Sequence, residues 1–229
     1  MGLEISCGKV LYHNMLCGVD EAGKGAVLGP LVVAAVGCRR KKDLSVLGVK
    51  DSKALTPARR EELAARIRAE GFPIAVLAIS PGEIDAQRSF MTMNALMALS
   101  HARVIDDLRP HIAVVDACDV VAARYGCMVS EHLMHSCRVV PRHHADETHP
   151  AVSAASIIAK VERDRLVSEL AREYGEIGSG YPSDHTTVEF LWGYIREHGR
   201  PPLIARRSWE TVHALIERRE QTHLSDYLF

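Results

Sequence analysis

No stretch of the sequence is long and apolar enough to cross a bilayer as a helix. The opening residues, Met1 to Val10, lack the charged, apolar and small-residue order of a secretory signal. A cytoplasmic location is therefore expected. The six cysteines, Cys7, Cys17, Cys38, Cys118, Cys127 and Cys137, form no C-x-x-C pair and no zinc-like grouping with histidine along the chain. They are expected to be buried free thiols in a reducing compartment. Net charge is nearly absent, −1 at neutral pH, so nothing draws the whole molecule towards nucleic acid. Any such binding has to come from local basic surface. Candidates are Arg39-Arg40-Lys41-Lys42, Arg59-Arg60, Lys160 with Arg163, and Arg206-Arg207. Internal repeats are lacking too.

What is present is an ordinary globular balance, 47% hydrophobic and 25% charged residues. A chain of 229 residues buries roughly 70–75% of its unfolded surface, enough for one main core. Leu16 to Val19 and Leu28 to Val36 are short runs rich in Val and Leu, parted by a turn at Gly23, Gly25 and Gly29, and read as an opening strand pair. Thr56-Pro57 followed by acids predicts a capped helix to Glu70, stopped by Gly71. Pro73 to Ile79 predicts a strand and Met91 to Leu108 a helix, with Met91, Met93 and Met97 as core packing. Ile112 to Val115 is fully apolar and suits a buried strand ending in Asp116. A helix to Met134, a strand at Cys137 to Val140, and a long helix from Pro150 to Tyr174 follow. After a Gly-rich loop come helices at Thr186 to His198 and Trp209 to Arg219. This is an α/β fold, a mixed sheet with helices on its faces and a helical tail.

Asp20 and Asp116 each end an apolar strand, where open α/β folds place ligand sites. Glu21 is next to Asp20, and strand neighbours point to opposite faces, so both reach one site only if the chain bends. Gly23 and Gly25 offer that bend. Asp146, just before the long helix, can bring a fourth acid. Adjacent carboxylates raise each other's pKa unless cations neutralise them, and an all-oxygen set suits Mg2+ or Mn2+. Two such ions would serve an in-line phosphoryl displacement by water. The same acids equally suit plain capping of turns.

Gly18-Val19-Asp20-Glu21-Ala22-Gly23-Lys24-Gly25 with Leu28-Gly29-Pro30 resembles the opening signature of the ribonuclease HII family, in its archaeal branch. Asp51-Ser52-Lys53, Val115-Asp116, Ala145-Asp146, Val152 to Val161, Arg163-Asp164 and Gly178 to Asp184 match that family in the same order, over nearly the whole chain. The resemblance implies a ribonuclease H-like five-stranded mixed sheet over residues 1–180, a helical subdomain over 181–220 and a tail over 221–229. It implies an endonuclease that acts on RNA:DNA hybrids and on ribonucleotides in duplex DNA. Asp20, Glu21, Asp116 and Asp146 would hold the metal. The turn Gly23-Lys24-Gly25 and Tyr181 would sense the 2'-hydroxyl, whose double donor and acceptor character suits a backbone turn. Lys53, Ser153, Ser156, Lys160 and Arg163 would contact substrate, the last four recurring on one helix face. Three positions depart from the family: Lys24 for arginine, Ala26 for proline, and His143-His144 where lysine is usual. Lysine cannot make arginine's planar bidentate contact, so junction discrimination is expected to loosen. The related ribonuclease HIII carries an extra N-terminal domain, and the first motif here begins too early for one.

The end of the chain, with Gln221, Leu224, Tyr227 and Leu228, resembles the peptide by which replication proteins enter the groove of a sliding clamp. Docking of the same apolar residues back onto this protein is the rival. A monomer is expected.

Overall fold

The computed structural model describes residues 15–49 and 55–226. Five strands, β1 (Leu16–Ala22), β2 (Leu31–Cys38), β3 (Ile74–Ile79), β4 (Ile112–Asp116) and β5 (Arg138–Arg142), form one mixed sheet in the order β3-β2-β1-β4-β5. The short connection after β1 makes β1 and β2 an antiparallel hairpin, which β3 extends antiparallel. Helical crossovers return the chain so that β4 pairs parallel with β1, and β5 with β4. The expected ribonuclease H-like mixed sheet is the one observed.

Among the described residues the helices are α1 (Lys41–Ser45), α2 (Pro57–Ala69), α3 (Pro81–Arg88), α4 (Met93–Leu108), α5 (Ala122–Glu131), α6 (Ala145–Thr148), α7 (Pro150–Tyr174), α8 (His185–His198) and α9 (Glu210–Asp226). Local chemistry explains several starts. The Thr56 hydroxyl accepts from the Arg59 amide ahead of Pro57 in α2, and Thr92 does the same for Ala95 in α4. Apolar periodicity does not announce a helix over Ser80 to Phe90, yet Ser80 and Glu83 form a capping box around Pro81 that starts α3. Helix α5 stops at Glu131, short of the expected Met134, and α9 continues past Arg219 to Asp226.

The sheet is covered on both faces, which is why every residue of β2 is buried and apolar or glycine. Cys17, Val19, Val33 and Val115 pack against α3, α4 and α5. Val32, Ala34 and Val36 pack against α1, α2 and the start of α7. A third apolar cluster joins Val27 and Leu28 to Leu191 of α8 and Val212 of α9, so the C-terminal helices brace the β1–β2 connection. Met97 is in the core and Met91 and Met93 border it, as expected.

Gly18 shows how close the layers lie. A Cβ there would sit 2.5 Å from the carbonyl oxygen of Ala151 and nearer still to the Ala151 carbonyl carbon and the Val152 nitrogen. No helix among the described residues is long and apolar enough to cross a membrane.

Candidate active site

Parallel pairing sets Val19 opposite Val115, so Asp20 and Asp116 leave neighbouring strands at the same end of the sheet. One Asp116 oxygen accepts the Ala145 amide at 2.7 Å, fastening α6 to the end of β4 and bringing Asp146 alongside. The Ser153 hydroxyl donates to the Asp146 carbonyl, locking α6 onto α7. Asp20 and Asp146 are buried. Asp20 accepts a hydrogen bond from Ser156, and its own oxygen takes the Glu21 amide at 2.8 Å. Burial first, then the adjacent Glu21 and Asp116 charges, push the Asp20 carboxyl well above the usual carboxylate range. A buried acid in that state, surrounded by further oxygen donors, fits a hard divalent cation, which would restore the charged form.

Glu21 is turned to the other face. The bend expected from Gly23 and Gly25 comes too late to bring it round, and strand alternation prevails. One Glu21 oxygen accepts from the Cys118 thiol at 3.0 Å, and the other lies 3.3 Å from Nε2 of His101 on α4. Burial pushes the Glu21 carboxyl up, but the imidazole, the thiol and the Lys24 ammonium together hold it below its ordinary value. His101 is wholly buried, and its Nδ1 is 3.1 Å from the Tyr125 hydroxyl.

The turn after β1 is strapped down from three sides. Gly23 has φ +88°, and a Cβ there would meet Arg163 at 2.5 Å and the Pro30 carbonyl at 2.8 Å. Gly25 faces open space. The Lys24 ammonium donates to the Cys118 carbonyl at 3.2 Å. Arg206, fully buried, donates to the carbonyls of Lys24 and Gly29 and lies over the Trp209 ring. The Val27 and Leu28 amides donate to Gly180, the residue before Tyr181. Arg163 completes the connection: its guanidinium lies 4.6 Å from the Tyr181 ring and donates to the Ser179 carbonyl. The turn and Tyr181 therefore share their supports.

Ser153, Ser156, Lys160 and Arg163 do share one face of α7, but Ser153, Ser156 and Arg163 are buried. Their bonds run to α6, to Asp20, and to the Tyr181 loop. Lys160, half-buried, donates to Ser156 at 2.9 Å. Arg163 and Arg206 thus drop out of the basic surface expected from sequence, whereas Arg39, Arg142, His143 and His144 are exposed. Cys127 is exposed, against the expectation of burial. Lys53 lies outside the described residues. Gln221 and Leu224 lie on α9, and Tyr227 and Leu228 are outside the described residues.

Sequence reasoning passed over His101, Cys118, Tyr125 and the clamp made by Arg206. The available signal was His101 itself, a polar residue on the apolar face of a helix whose positions 97, 98, 102 and 105 are core.

Acids gathered where two parallel strands end, on a sheet of this order, define an enzyme of the ribonuclease H class, a metal-dependent phosphodiester hydrolase. The chain belongs to the ribonuclease HII family, which matches it over residues 17–212. It is 54% identical to Ribonuclease HII of Methanospirillum hungatei over 213 residues, covering 93% of this chain and all of the relative. The PCNA:RNase HII complex from Archaeoglobus fulgidus contains a similar structure, with TM-score 0.81, 46% identity, and coverage of 86% of this chain and 95% of that one. Bst-RNase HIII in complex with Mn2+ is also similar, with TM-score 0.77 and 26% identity over 90% of this chain and 70% of the other.

Proposed function

We propose that the protein is an endoribonuclease that hydrolyses the RNA strand of RNA:DNA hybrids and cuts on the 5' side of ribonucleotides embedded in duplex DNA. The observation that carries this reading is the convergence of Asp20, Asp116 and Asp146 at one end of β1 and β4, beside a turn and a tyrosine held by common supports. With Glu21 turned away from His101 and towards the aspartates, these acids would hold two Mg2+ or Mn2+ ions, which would supply an activated water and charge stabilisation at the leaving oxygen. Water adds to phosphorus as the bond to the 3' oxygen breaks, leaving a 3'-hydroxyl and a 5'-phosphate.

The chain's own residues do the positioning. Asp116, fastened through the Ala145 amide, and Asp20, fastened through Ser156 and its backbone, present oxygens that need not reorganise as charge develops. The Gly23-Lys24-Gly25 backbone would meet the 2'-hydroxyl as both donor and acceptor. Tyr181, backed by Arg163, would stack on the following sugar. Lys160 would reach phosphate, while Ser153, Ser156 and Arg163 act through the groups they hold. Lys53 is proposed as a further phosphate contact.

The similarity to a ribonuclease bound to PCNA supports a second element: Gln221, Leu224, Tyr227 and Leu228 engaging a sliding clamp. A monomeric, cytoplasmic protein with catalytic residues 1–180, a helical subdomain over 181–220 and this tail completes the proposal.

The test is cleavage of a DNA duplex carrying one ribonucleotide, beside an all-DNA duplex, with Mg2+, Mn2+ or chelator. Metal-dependent incision 5' of the ribonucleotide alone supports the reading. Incision of both duplexes would instead mark a general nuclease, and binding without incision a recognition module.

A further inference from the structure

Behind Glu21 the fold assembles donors of a different chemistry from the aspartates. Glu21 from β1, His101 from α4 and Cys118 from the loop after β4 each offer a ligand atom, and the three atoms lie within 4.8 Å of one another. A tetrahedral zinc ion has bonds of about 2.0–2.2 Å to oxygen and nitrogen and about 2.3 Å to sulfur. Its nitrogen–oxygen and sulfur–oxygen edges are then about 3.3 and 3.5 Å. The protein holds His101 Nε2 3.3 Å from one Glu21 oxygen and the Cys118 sulfur 3.0 Å from the other. Both contacts with Glu21 are therefore near coordination spacing, and modest side-chain rotation would bring one atom of each residue onto a common ion.

Two further observations support this cluster. His101 Nε2 and the facing Glu21 oxygen are buried and pair with each other at 3.3 Å, so the ring nitrogen already faces an anionic oxygen. The other ring nitrogen of His101 is engaged by the Tyr125 hydroxyl at 3.1 Å, the outer support that orients a metal-binding imidazole. Tyr125 in turn interacts with the Cys118 thiol, so the ligand set carries its own scaffold.

We propose that Glu21, His101 and Cys118 form an inhibitory site for a soft divalent cation such as Zn2+, distinct in chemistry from the all-oxygen site for Mg2+ or Mn2+. Mixed nitrogen, sulfur and oxygen donors favour zinc over magnesium and manganese. Binding releases the Cys118 proton to solvent and commits Glu21 to the α4 face, removing one of the four acids proposed to hold the activating metal. The inhibitory half rests on the proposed function; the binding half does not.

The experiment titrates the metal-free protein with Co2+ as a coloured stand-in for Zn2+. One equivalent should produce thiolate-to-cobalt absorption in the near ultraviolet and tetrahedral bands in the visible, bleached by Zn2+ but not by Mg2+. Cys118→Ala and Cys118→Ser should both lose the thiolate band, and His101→Gln should bind at least tenfold more weakly. Cys127→Ala, altering the exposed thiol, should retain the band. Absence of the band in the unaltered protein, or its persistence in both Cys118 variants, overturns the site. In Mg2+-driven cleavage, Zn2+ should inhibit, and Cys118→Ala should need at least tenfold more Zn2+ for half-inhibition of its own rate. Equal sensitivity of the two proteins, with the cobalt band present, overturns the inhibitory role. A protein that cleaves nothing in Mg2+ overturns the proposed function, while the cobalt spectra still decide the site.

Discussion

Gly18→Ala is a single added methyl group whose effect the structure makes large. The new carbon would fall 2.5 Å from the Ala151 carbonyl oxygen and nearer to two other atoms of the α7 backbone. Non-bonded carbons rest about 3.5–4.0 Å from their neighbours, so β1 and α7 must separate by roughly 1 Å. The obstacle is helix backbone, and no rotamer change relieves it. Overpacking costs about 1–3 kcal/mol and occasionally more, and a gap of that width forfeits a quarter to a half of each contact opened between the layers. About 4 kcal/mol of destabilisation is expected, a large share of a typical 5–15 kcal/mol. At about 2–4 °C per kcal/mol for a chain of this size, Tm should fall by about 8–16 °C. The same shift carries Ser156 away from Asp20, so Mg2+ should stabilise the variant less than the parent. Urea unfolding with a common m-value, run beside thermal melts with and without Mg2+, measures both effects. A loss under about 1 kcal/mol would refute the account of β1–α7 packing.

Asp20→Asn should stabilise the metal-free protein near pH 8. A carboxyl raised by burial contributes stability only below its unfolded pKa and loses it as pH rises through the folded value, so removing the charge helps at high pH and not near pH 3. Melts in chelator at the two pH values check this, and Mg2+ should reverse the ranking at pH 8. Arg206→Met should lower junction selectivity more than the cleavage rate on a long hybrid, because the side chain fastens the Lys24 and Gly29 carbonyls. Equal losses on both substrates would count against it. Asp116→Asn should abolish cleavage with stability changed by less than about 1 kcal/mol, since size is conserved, and full activity would refute the proposed metal site. Removing residues 221–229 should leave cleavage of a short duplex intact and weaken clamp binding at least tenfold, read by calorimetry against the clamp.

Much of the fold was legible because hydrophobic periodicity and capping are local. The apolar runs at β1, β2 and β4 and the caps at Thr56 and Thr92 announce themselves within a few residues. Helix α3 is faint in the sequence although Ser80-Pro81 and Glu83 carry its start, because only two of its residues face the core and periodicity is weak. The strand ends place Asp20 and Asp116 together in outline, since parallel strands in such folds finish side by side.

The direction each side chain takes was decided elsewhere. A run of Asp20 and Glu21 cannot tell which face meets α7 and which meets α4; packing of Gly18 beneath the α7 backbone sets that phase for the whole strand. Arg163 and Arg206 look like surface cations in sequence, and only the fold turns them inward onto carbonyls and rings. Cys118 and His101 show no metal-ligand spacing along the chain, because a site drawn from three separate elements has no spacing to show. The sequence by itself determined the order of elements, the acids available and the family, all of which depend on local pattern and residue identity. Tertiary structure alone decided which groups meet, because contact between residues 21, 101 and 118 is created by layers closing on one another.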